Sequence, residues 1–480
     1  MSWSDLNSTL PELALVVTAL VLLILEVLKE PPRSRLAGMA LGGIALALVL
    51  EFAFPVEGQF YNGMISVDHF SRFFDVVFLI TAAGTMLIAV PYLQKTLEER
   101  GEYYALLLFA TIGMMFMAKA HDLTILFLGL ELLSIPLYIL VGFYRHRVRS
   151  NEAGLKYLLL GAFSTGFFLF GIALLYGSTG ATHYDAIRQS IVSGEQLSPA
   201  MTLAGFGLLV VGFAFKVALV PFHMYAPDVY EGAPTSITAF LSTGPKVAGF
   251  AAFLKVIVTS FAVTTQHWWG IVWVLAVLTM TVGNITAIMQ DNLKRMLAFS
   301  SVAHAGYLAI AILVGSEDSA FGMMYYVVAY AATTLAAFGV VALIEGEEES
   351  GLDIPSYRGL ARRNPYLAAV FTLAMISLAG FPPTAGFLGK YFVFNAAVDT
   401  GNIWYIWLVV ITVLNSLISV YYYLRPVVAM YMQEPADETP IPLPRVTTPV
   451  FLLLVLVVLG FGIFPMTLVK SSVAAAGSLF

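Results

Sequence analysis

The stretch "GLLVVGFAFKVALVPFH", Gly207 to His223, is apolar on both sides of a single lysine, Lys216, and meets a proline, Pro221, five residues later. An unbroken apolar run of this kind has the length of a bilayer-crossing helix, about 20 residues. A charge near the bilayer centre costs at least ~2.5–3.5 kcal/mol. A proline within a helix removes one i→i−4 hydrogen bond. The stretch therefore predicts a membrane helix that carries a charge at depth and breaks beside it.

The same pattern extends outward through all 480 residues. They are 59% hydrophobic and 11% charged, with a mean hydropathy of +0.85. Soluble domains are about a quarter charged, so the relevant measure is the membrane span. Apolar runs between short polar or Gly/Pro-rich turns predict about fourteen spans: 10–28, 36–54, 68–92, 102–119, 123–143, 155–177, 202–224, 234–260, 268–290, 296–314, 319–344, 365–395, 402–432 and 447–469. Barrel strands alternate apolar and polar over about 10 residues, so the expected fold class is an all-α polytopic membrane protein. The absence of cysteine excludes disulfides, thiolate metal sites and iron–sulfur ligation. A net charge of −6 argues against a nucleic-acid partner. The first apolar run follows "NSTLPE", with no basic region before it, so no cleavable signal peptide is expected.

Loop charges predict the orientation. Loops after odd-numbered spans hold fifteen Lys or Arg residues, against two, Lys119 and Arg188, after even-numbered spans. Basic loops stay cytoplasmic, which puts both termini outside. One cytoplasmic loop, "HMYAPDVYEGAPT" from His223 to Thr235, has acids and no bases and is expected to be held by another protein. The acidic run Glu347 to Glu349 is expected to be a solvated loop rather than a metal site.

Once loop charges are set aside, five charges are read as lying deep in spans: Glu131, Lys216, Lys246, Lys255 and Lys390. Four are lysines. Arginine holds its proton almost anywhere, whereas a buried lysine can release it, so this set suits proton handling. Helix breakers accompany four of the five: Pro136 after Glu131, Pro221 after Lys216, Gly244-Pro245 before Lys246, and "AGFPPTAGF" before Lys390. Broken backbone at membrane depth occurs where it is buried in protein or lines a wet cavity, as at transporter ion sites. Spans 7 and 12 are expected to be interrupted near Pro221 and near Gly380 to Thr384. Lys255, near the outer end of its span, is expected to snorkel to the interface. A static Glu131–Lys216 pair is the competing account of those two residues. His304, a lone histidine in span 10, is a core residue or a proton relay.

An internal echo accompanies these charges. "HDLTILFLGLELLSIPLYIL" and "DNLKRMLAFSSVAHAGYLAI" both open a span after a short Asp-containing turn. Shifted by 170 residues, Ser134 falls on His304 and Pro136 on Gly306. Two five-helix units, inverted in the membrane, are expected at 101–260 and 268–432, after an N-terminal three-helix segment at 1–100 and before a last loop and helix at 433–480.

Three stretches, "KVALVPFHMYAPDVYEGAPTSITAFLSTGPKVA", "NLKRMLAFSSVAHAGYLAI" and "LAGFPPTAGFLGKYFVF", resemble signatures of the antiporter-like membrane subunits of respiratory complex I, the proton-pumping NADH:quinone oxidoreductase. "PDVYEGAP" and a lysine at position 390 look most like the subunit N type. The resemblance implies a glutamate on span 5 and lysines on spans 7, 8 and 12, joined by water; here these positions are Glu131, Lys216, Lys246 and Lys390. It implies a multi-pass protein of the bacterial inner membrane whose partners are the other membrane and peripheral subunits and the lipid bilayer. The chain has no phosphate-binding or dinucleotide motif and no histidine metal spacing. Thus NADH, FMN, iron–sulfur clusters and quinone are expected in partner subunits, with no cofactor bound here. A cation/proton antiporter subunit is the alternative. In the expected mechanism ionised Glu131 holds the proton on Lys216. A pair about 4 Å apart at an effective dielectric near 20 is worth ~4 kcal/mol.

Overall fold

The computed structural model describes residues 3–29, 33–96, 99–346, 350–435 and 439–480. The acidic run Glu347 to Glu349 lies outside the described residues. Every predicted apolar run is helical. The N-terminal part holds α1 (Trp3–Ser8), α2 (Leu10–Lys29), α3 (Arg33–Ala53) and α4 (His69–Thr96). It also holds the one departure from the all-α expectation among the described residues, a small antiparallel hairpin of β1 (Gly58–Phe60) and β2 (Ile65–Val67). The next part runs through α5 (Gly101–Lys119), α6 (Leu123–Val141), α7 (Val148–Thr179), α8 (Tyr184–Ser193), α9 (Pro199–Val217), α10 (Tyr225–Gly232), α11 (Thr235–Ser242) and α12 (Gly244–Val256). Then follow α13 (Thr265–Ile288), α14 (Leu293–Val314), α15 (Glu317–Ile344), α16 (Leu360–Arg363), α17 (Pro365–Ala379), α18 (Ala385–Asp399) and α19 (Ile403–Met432). The chain closes with α20 (Thr447–Ile463) and α21 (Met466–Gly477).

Among the described residues, eleven helices are long and apolar enough to cross a membrane, or twelve if the pair α20 and α21, bent by 83°, counts as one. The shortfall from fourteen has physical locations. Residues Thr235–Ile288 form one 54-residue helical run, so the predicted spans 8 and 9 merge across a π turn at Ile257–Phe261 and a 3-10 turn at Ala262–Thr264. Span 12 is split into α17 and α18, of 15 residues each. Each half is about 22 Å long, short of a bilayer core of about 30 Å.

Contacts sort the loops into two ends. At one end His121 N donates to Met64 O at 3.0 Å, Leu123 N to Thr182 O at 3.0 Å, and Ser260 Oγ to Tyr184 O at 3.1 Å. Both chain ends lie here: Tyr61 N donates to Asp5 Oδ1, and Phe70 N to Ser478 Oγ, each at 3.0 Å. At the other end Gly101 N meets Glu26 Oε2 at 3.1 Å, Lys95 Nζ meets Glu345 O at 2.5 Å, and Gly359 N meets Ala429 O at 3.1 Å. Thus the loops expected on one side of the membrane do cluster, and both termini share an end.

Equivalent contacts recur in the two halves. Asp122 caps α6 and Asn292, 170 residues on, caps α14. The bridge Asp122–His183 is matched by Asn292–Asp353, and Leu123 N→Thr182 O by Leu293 N→Leu352 O, all at the same shift. A methyl at Gly113 would strike α6 at Leu133 N, 2.4 Å away; one at Gly283 would strike α14 at Ala303 N, 2.6 Å away. The breaks also match: Ala218 (φ 61) ends α9 and Gly380 (φ 89) ends α17, each left-handed and bonded to carbonyls three and four residues back. The first set of turns lies at the end that holds the termini and its counterpart at the other end.

The acidic loop is held by this chain itself. Asp228 on α10 accepts from Lys156 of α7 at 2.9 Å and from Arg295 of α14 at 3.0 Å, and Glu231 accepts from Arg295 at 2.6 Å. This corrects the expectation of an external partner for those acids: two bases distant in sequence supply the charge. Burial pulls the Asp228 carboxyl upward, but the hydrogen bonds from Lys156 and Arg295 outweigh it and hold the carboxyl below the usual carboxylate range. A carboxyl held low stabilises the fold above its unfolded pKa of about 3.9 and loses that contribution as pH falls through the folded value. Asp228→Asn is expected to destabilise the assembled protein by less than ~1 kcal/mol at neutral pH, since the pair is solvent-screened. In thermal melts against pH, the gap from the parent should close below about pH 4.

Candidate functional site

Three of the four predicted coincidences of charge and helix break are present. The fourth is absent, because α6 runs unbroken across Pro136. Lys216 is in the last turn of α9, beside the left-handed Ala218. Beyond the break, Val220 N–H would be an orphan donor, and Thr279 Oγ1 of α13 accepts it at 2.9 Å. Lys246 is in the first turn of α12, just after the kink at Thr243 (φ −112, ψ −87) that ends α11. Lys390 is on α18 and folds back across the break to the open end of α17. Its Nζ donates to Leu378 O and Ala379 O, both at 3.0 Å, and to Ser416 Oγ at 2.9 Å. Helix C-termini favour cations, which suits Lys216 and Lys390 and disfavours Lys246 at an N-terminus. Gly380 is needed here twice over: its φ is positive, and a methyl on it would stand 3.2 Å from Lys390 Nζ.

All three lysines are buried, 3–6% exposed, so none snorkels. Lys216 Nζ donates to Ser134 Oγ at 2.8 Å. Lys246 Nζ donates to Ser301 O at 2.8 Å and Ser301 Oγ at 2.7 Å. Among the described residues none has a carboxylate within 4.0 Å. A buried ammonium without a counter-ion is costly, and giving up its proton removes the charge.

Glu131 is half-buried and does not touch Lys216. Its Oε1 accepts from Thr165 Oγ1 of α7 at 2.9 Å. Thr165, Ser134 and Lys216 line one narrow cleft of about 10 Å³, room for about one water molecule. In place of the expected contact pair, the two groups rest on separate hydroxyls that line the same cleft.

His304 lies between Lys246 and Lys390. Its Nδ1 is 2.6 Å from Tyr326 OH and its Nε2 2.9 Å from Tyr423 OH. Tyr423 OH in turn meets Ser300 Oγ at 2.5 Å, next to the Ser301 that holds Lys246. Tyr307, one turn from His304, presents its ring face to Lys390 Nζ at 5.1 Å. Hydroxyls thus lie between Lys246 and His304, and an aromatic face lies against Lys390. A neutral imidazole donates at one nitrogen and accepts at the other, so a ring bonded on both sides can take a proton from one neighbour and give one to the other.

Ser134, Thr165, Ser300, Ser301, Tyr326 and Tyr423 were not singled out in the sequence. Three had a local signal. Ser134 lies three residues after Glu131, and Ser300 and Ser301 lie four and three before His304, spacings that share a helix face. Thr165 and the two tyrosines had none.

Two of the remaining charges correct expectations. Lys255 is buried rather than snorkelled; its Nζ donates to Ala118 O at 2.9 Å and lies 3.9 Å from Asp68 Oδ2. Lys119, counted above as a loop charge, is the last residue of α5 and is 1% exposed.

The bundle and its buried lysines define a class: polytopic helical membrane proteins with a proton-handling interior. Residues 120–419 match the family described as NADH:quinone oxidoreductase/Mrp antiporter, TM. NADH-quinone oxidoreductase subunit N of Trichlorobacter lovleyi is 45% identical over 469 residues, 96% of this chain and 95% of that one. NADH-quinone oxidoreductase subunit N 2 of Roseiflexus castenholzii is 45% identical over 461 residues, 93% and 91% of the two chains. A chain of respiratory complex I from Thermus thermophilus superposes with a TM-score of 0.81 at 33% identity, covering 96% of this chain and 99% of that one. The chain belongs to the NADH:quinone oxidoreductase/Mrp antiporter family, among its subunit N members.

Proposed function

We propose that the chain is the proton-translocating, subunit N-type membrane subunit of an NADH:quinone oxidoreductase, and that Glu131, Lys216, Lys246, His304 and Lys390 carry the protons. One observation carries this: three buried lysines at helix breaks rest on hydroxyls and carbonyls, with no carboxylate in contact among the described residues. Ionised Glu131 favours the protonated Lys216. When a neighbouring subunit moves or compensates that charge, the proton passes by water to Lys246. From there Ser301, Ser300, Tyr423 and His304 lead toward Lys390. The chain itself does no redox chemistry. NADH, FMN, iron–sulfur clusters and quinone belong to partner subunits of the enzyme complex.

The architecture follows the same reading. Fourteen crossings form an N-terminal segment at 1–100, inverted five-helix units at 101–260 and 268–432, and a last helix within 433–480. The contacts repeated at a 170-residue shift, at opposite ends of the bundle, support the inversion. The protein lies in a bacterial inner membrane with both termini outside. Cysteines placed at 147 and 183 are expected to label from opposite sides, and labelling from the same side would overturn the span count between them.

The family description also names an antiporter, so a cation/proton antiporter subunit is the second reading. Purification of the tagged chain in mild detergent separates the two. Flavin- and cluster-bearing subunits are expected with it; ion-driven proton exchange in their absence would favour the antiporter.

A further inference from the structure

The N-terminal helices bury a second set of charges, apart from the lysine chain. Glu12 on α2 is 2% exposed, Asp75 on α4 is 0% exposed, and Lys119 at the end of α5 is 1% exposed. Lys119 Nζ lies 2.5 Å from Glu12 Oε1 and 3.0 Å from Asp75 Oδ2, so one ammonium holds both carboxyls. Charged neighbours come from the surrounding helices. Glu51 of α3 accepts from Arg72 of α4 at 3.2 Å. Lys255 of α12 lies near Asp75 and 3.9 Å from Asp68, which precedes α4. Of the groups that are buried or half-buried, four acids, Glu12, Glu51, Asp68 and Asp75, thus face three bases, Arg72, Lys119 and Lys255; the exposed Glu57 lies 3.9 Å from Arg72.

One carboxyl is in excess, and the geometry identifies it. Glu12 takes the short contact to Lys119, Glu51 has Arg72, and Asp68 accepts from Ser66 Oγ at 2.6 Å and from Ser71 N at 2.7 Å. Asp75 has only the shared Lys119 ammonium, 3.0 Å from its Oδ2, and its Oδ1 has no hydrogen-bond partner among the described residues. Two carboxylates on one ammonium repel each other, so one of them tends to keep a proton. An unpaired carboxylate in a dry interior is costly.

We infer that Asp75, with Glu12 and Lys119, forms a proton-binding site in the N-terminal segment, linked to the lysine chain through Lys255 and opening to solvent at Asp68. Asp75 holds a proton as a neutral acid. When it gives the proton up, its O–H bond breaks and the proton leaves through water, while Lys119 stays an ammonium. Lys255 shares α12 with Lys246 and donates to Ala118 O, next to Lys119, so it stands between the two sets. Asp68, 22% exposed, is the surface member. The site lies at the end of the bundle that carries both termini. Its role in translocation rests on the function proposed above.

The test uses the assembled membrane complex carrying Asp75→Asn, compared with the parent and with Lys216→Met. Asparagine is nearly isosteric with the neutral acid, so assembly and melting temperature should stay at parent values. Infrared difference spectra in H2O and D2O should lose one protonated-carboxyl carbonyl band in Asp75→Asn and keep it in Lys216→Met. NADH-driven proton uptake in vesicles should fall several-fold in Asp75→Asn. Failure of Asp75→Asn to assemble, or an unchanged infrared spectrum, would mean that Asp75 is an ionised structural partner, and would overturn the inference. Loss of the band with uptake intact would overturn the role in translocation alone. Uptake intact in Lys216→Met would instead count against the lysine path, whatever Asp75→Asn does.

Discussion

Lys216→Arg is expected to assemble and to cut NADH-driven proton uptake about tenfold or more. The substitution keeps the positive charge beside Ser134 and in the field of Glu131. It removes only the ability to give up a proton, because a guanidinium stays charged in proteins. The cleft around Lys216 is small, about 10 Å³, so size is a confounding factor. Lys216→Met controls for it: methionine fits the space and relieves a buried charge, and it should assemble at parent levels and also fail to pump. Uptake in vesicles, normalised to assembled complex, is the measurement. Parent-level uptake by Lys216→Arg would make the lysine a static cation and end the relay account. Because Glu131 rests on Thr165 rather than on Lys216, Thr165→Val should reproduce part of the Glu131→Gln defect. A double-mutant cycle over Glu131 and Lys216 should give a coupling in the range of about 0.5–3 kcal/mol.

The second large effect is expected at Tyr423. Tyr423→Phe keeps the ring packed on Tyr422, centroids 4.4 Å apart, and removes one hydroxyl. That hydroxyl is the contact between Ser300 Oγ and His304 Nε2. Its loss leaves two buried groups short of a partner, at ~1–3 kcal/mol of stability. Uptake is expected to fall about tenfold, matching His304→Phe, because the hydroxyl route from Lys246 toward Lys390 is cut between them. Tyr326→Phe, on the other ring nitrogen, should act in the same direction. If Tyr423→Phe pumps at the parent rate while Lys246→Met does not, protons travel between those lysines without the imidazole.

The two experiments bear on residues of different visibility. Lys216 and its break at Pro221 stand out in the sequence because a charge and a helix breaker within apolar surroundings are both local anomalies. The same holds for Lys246 and Lys390. Asp75, Glu12 and Glu51 are also acids inside predicted spans; Asp75 has no helix breaker beside it, and Glu12 and Glu51, which do have Pro11 and Pro55 nearby, lie at the ends of their spans, where a charge ordinarily reaches water. Lys119 was hidden differently. It ends its helix, where a lysine ordinarily reaches water, and only the packing of α2 and α4 against α5 closes that exit. Tyr326 and Tyr423 are two of 23 tyrosines, and nothing local separates them from the rest.

Hydropathy and charge are properties of short windows of chain. By themselves they determined that this protein lives in a bilayer, roughly where its apolar helices lie, which loops share a side, and that Lys216, Lys246 and Lys390 lie deep. Partners across the bundle were decided only by the tertiary structure. Central helices such as α14 and α15 are buried on nearly every face. A helix that is apolar all round has no stripe to say which side meets which neighbour. Packing alone therefore settled that Glu131 stops at Thr165, that Lys390 turns back to the end of α17, and that His304 sits between two tyrosines. For the same reason packing alone brought Glu12, Asp75 and Lys119, up to 107 residues apart in the chain, onto one ammonium.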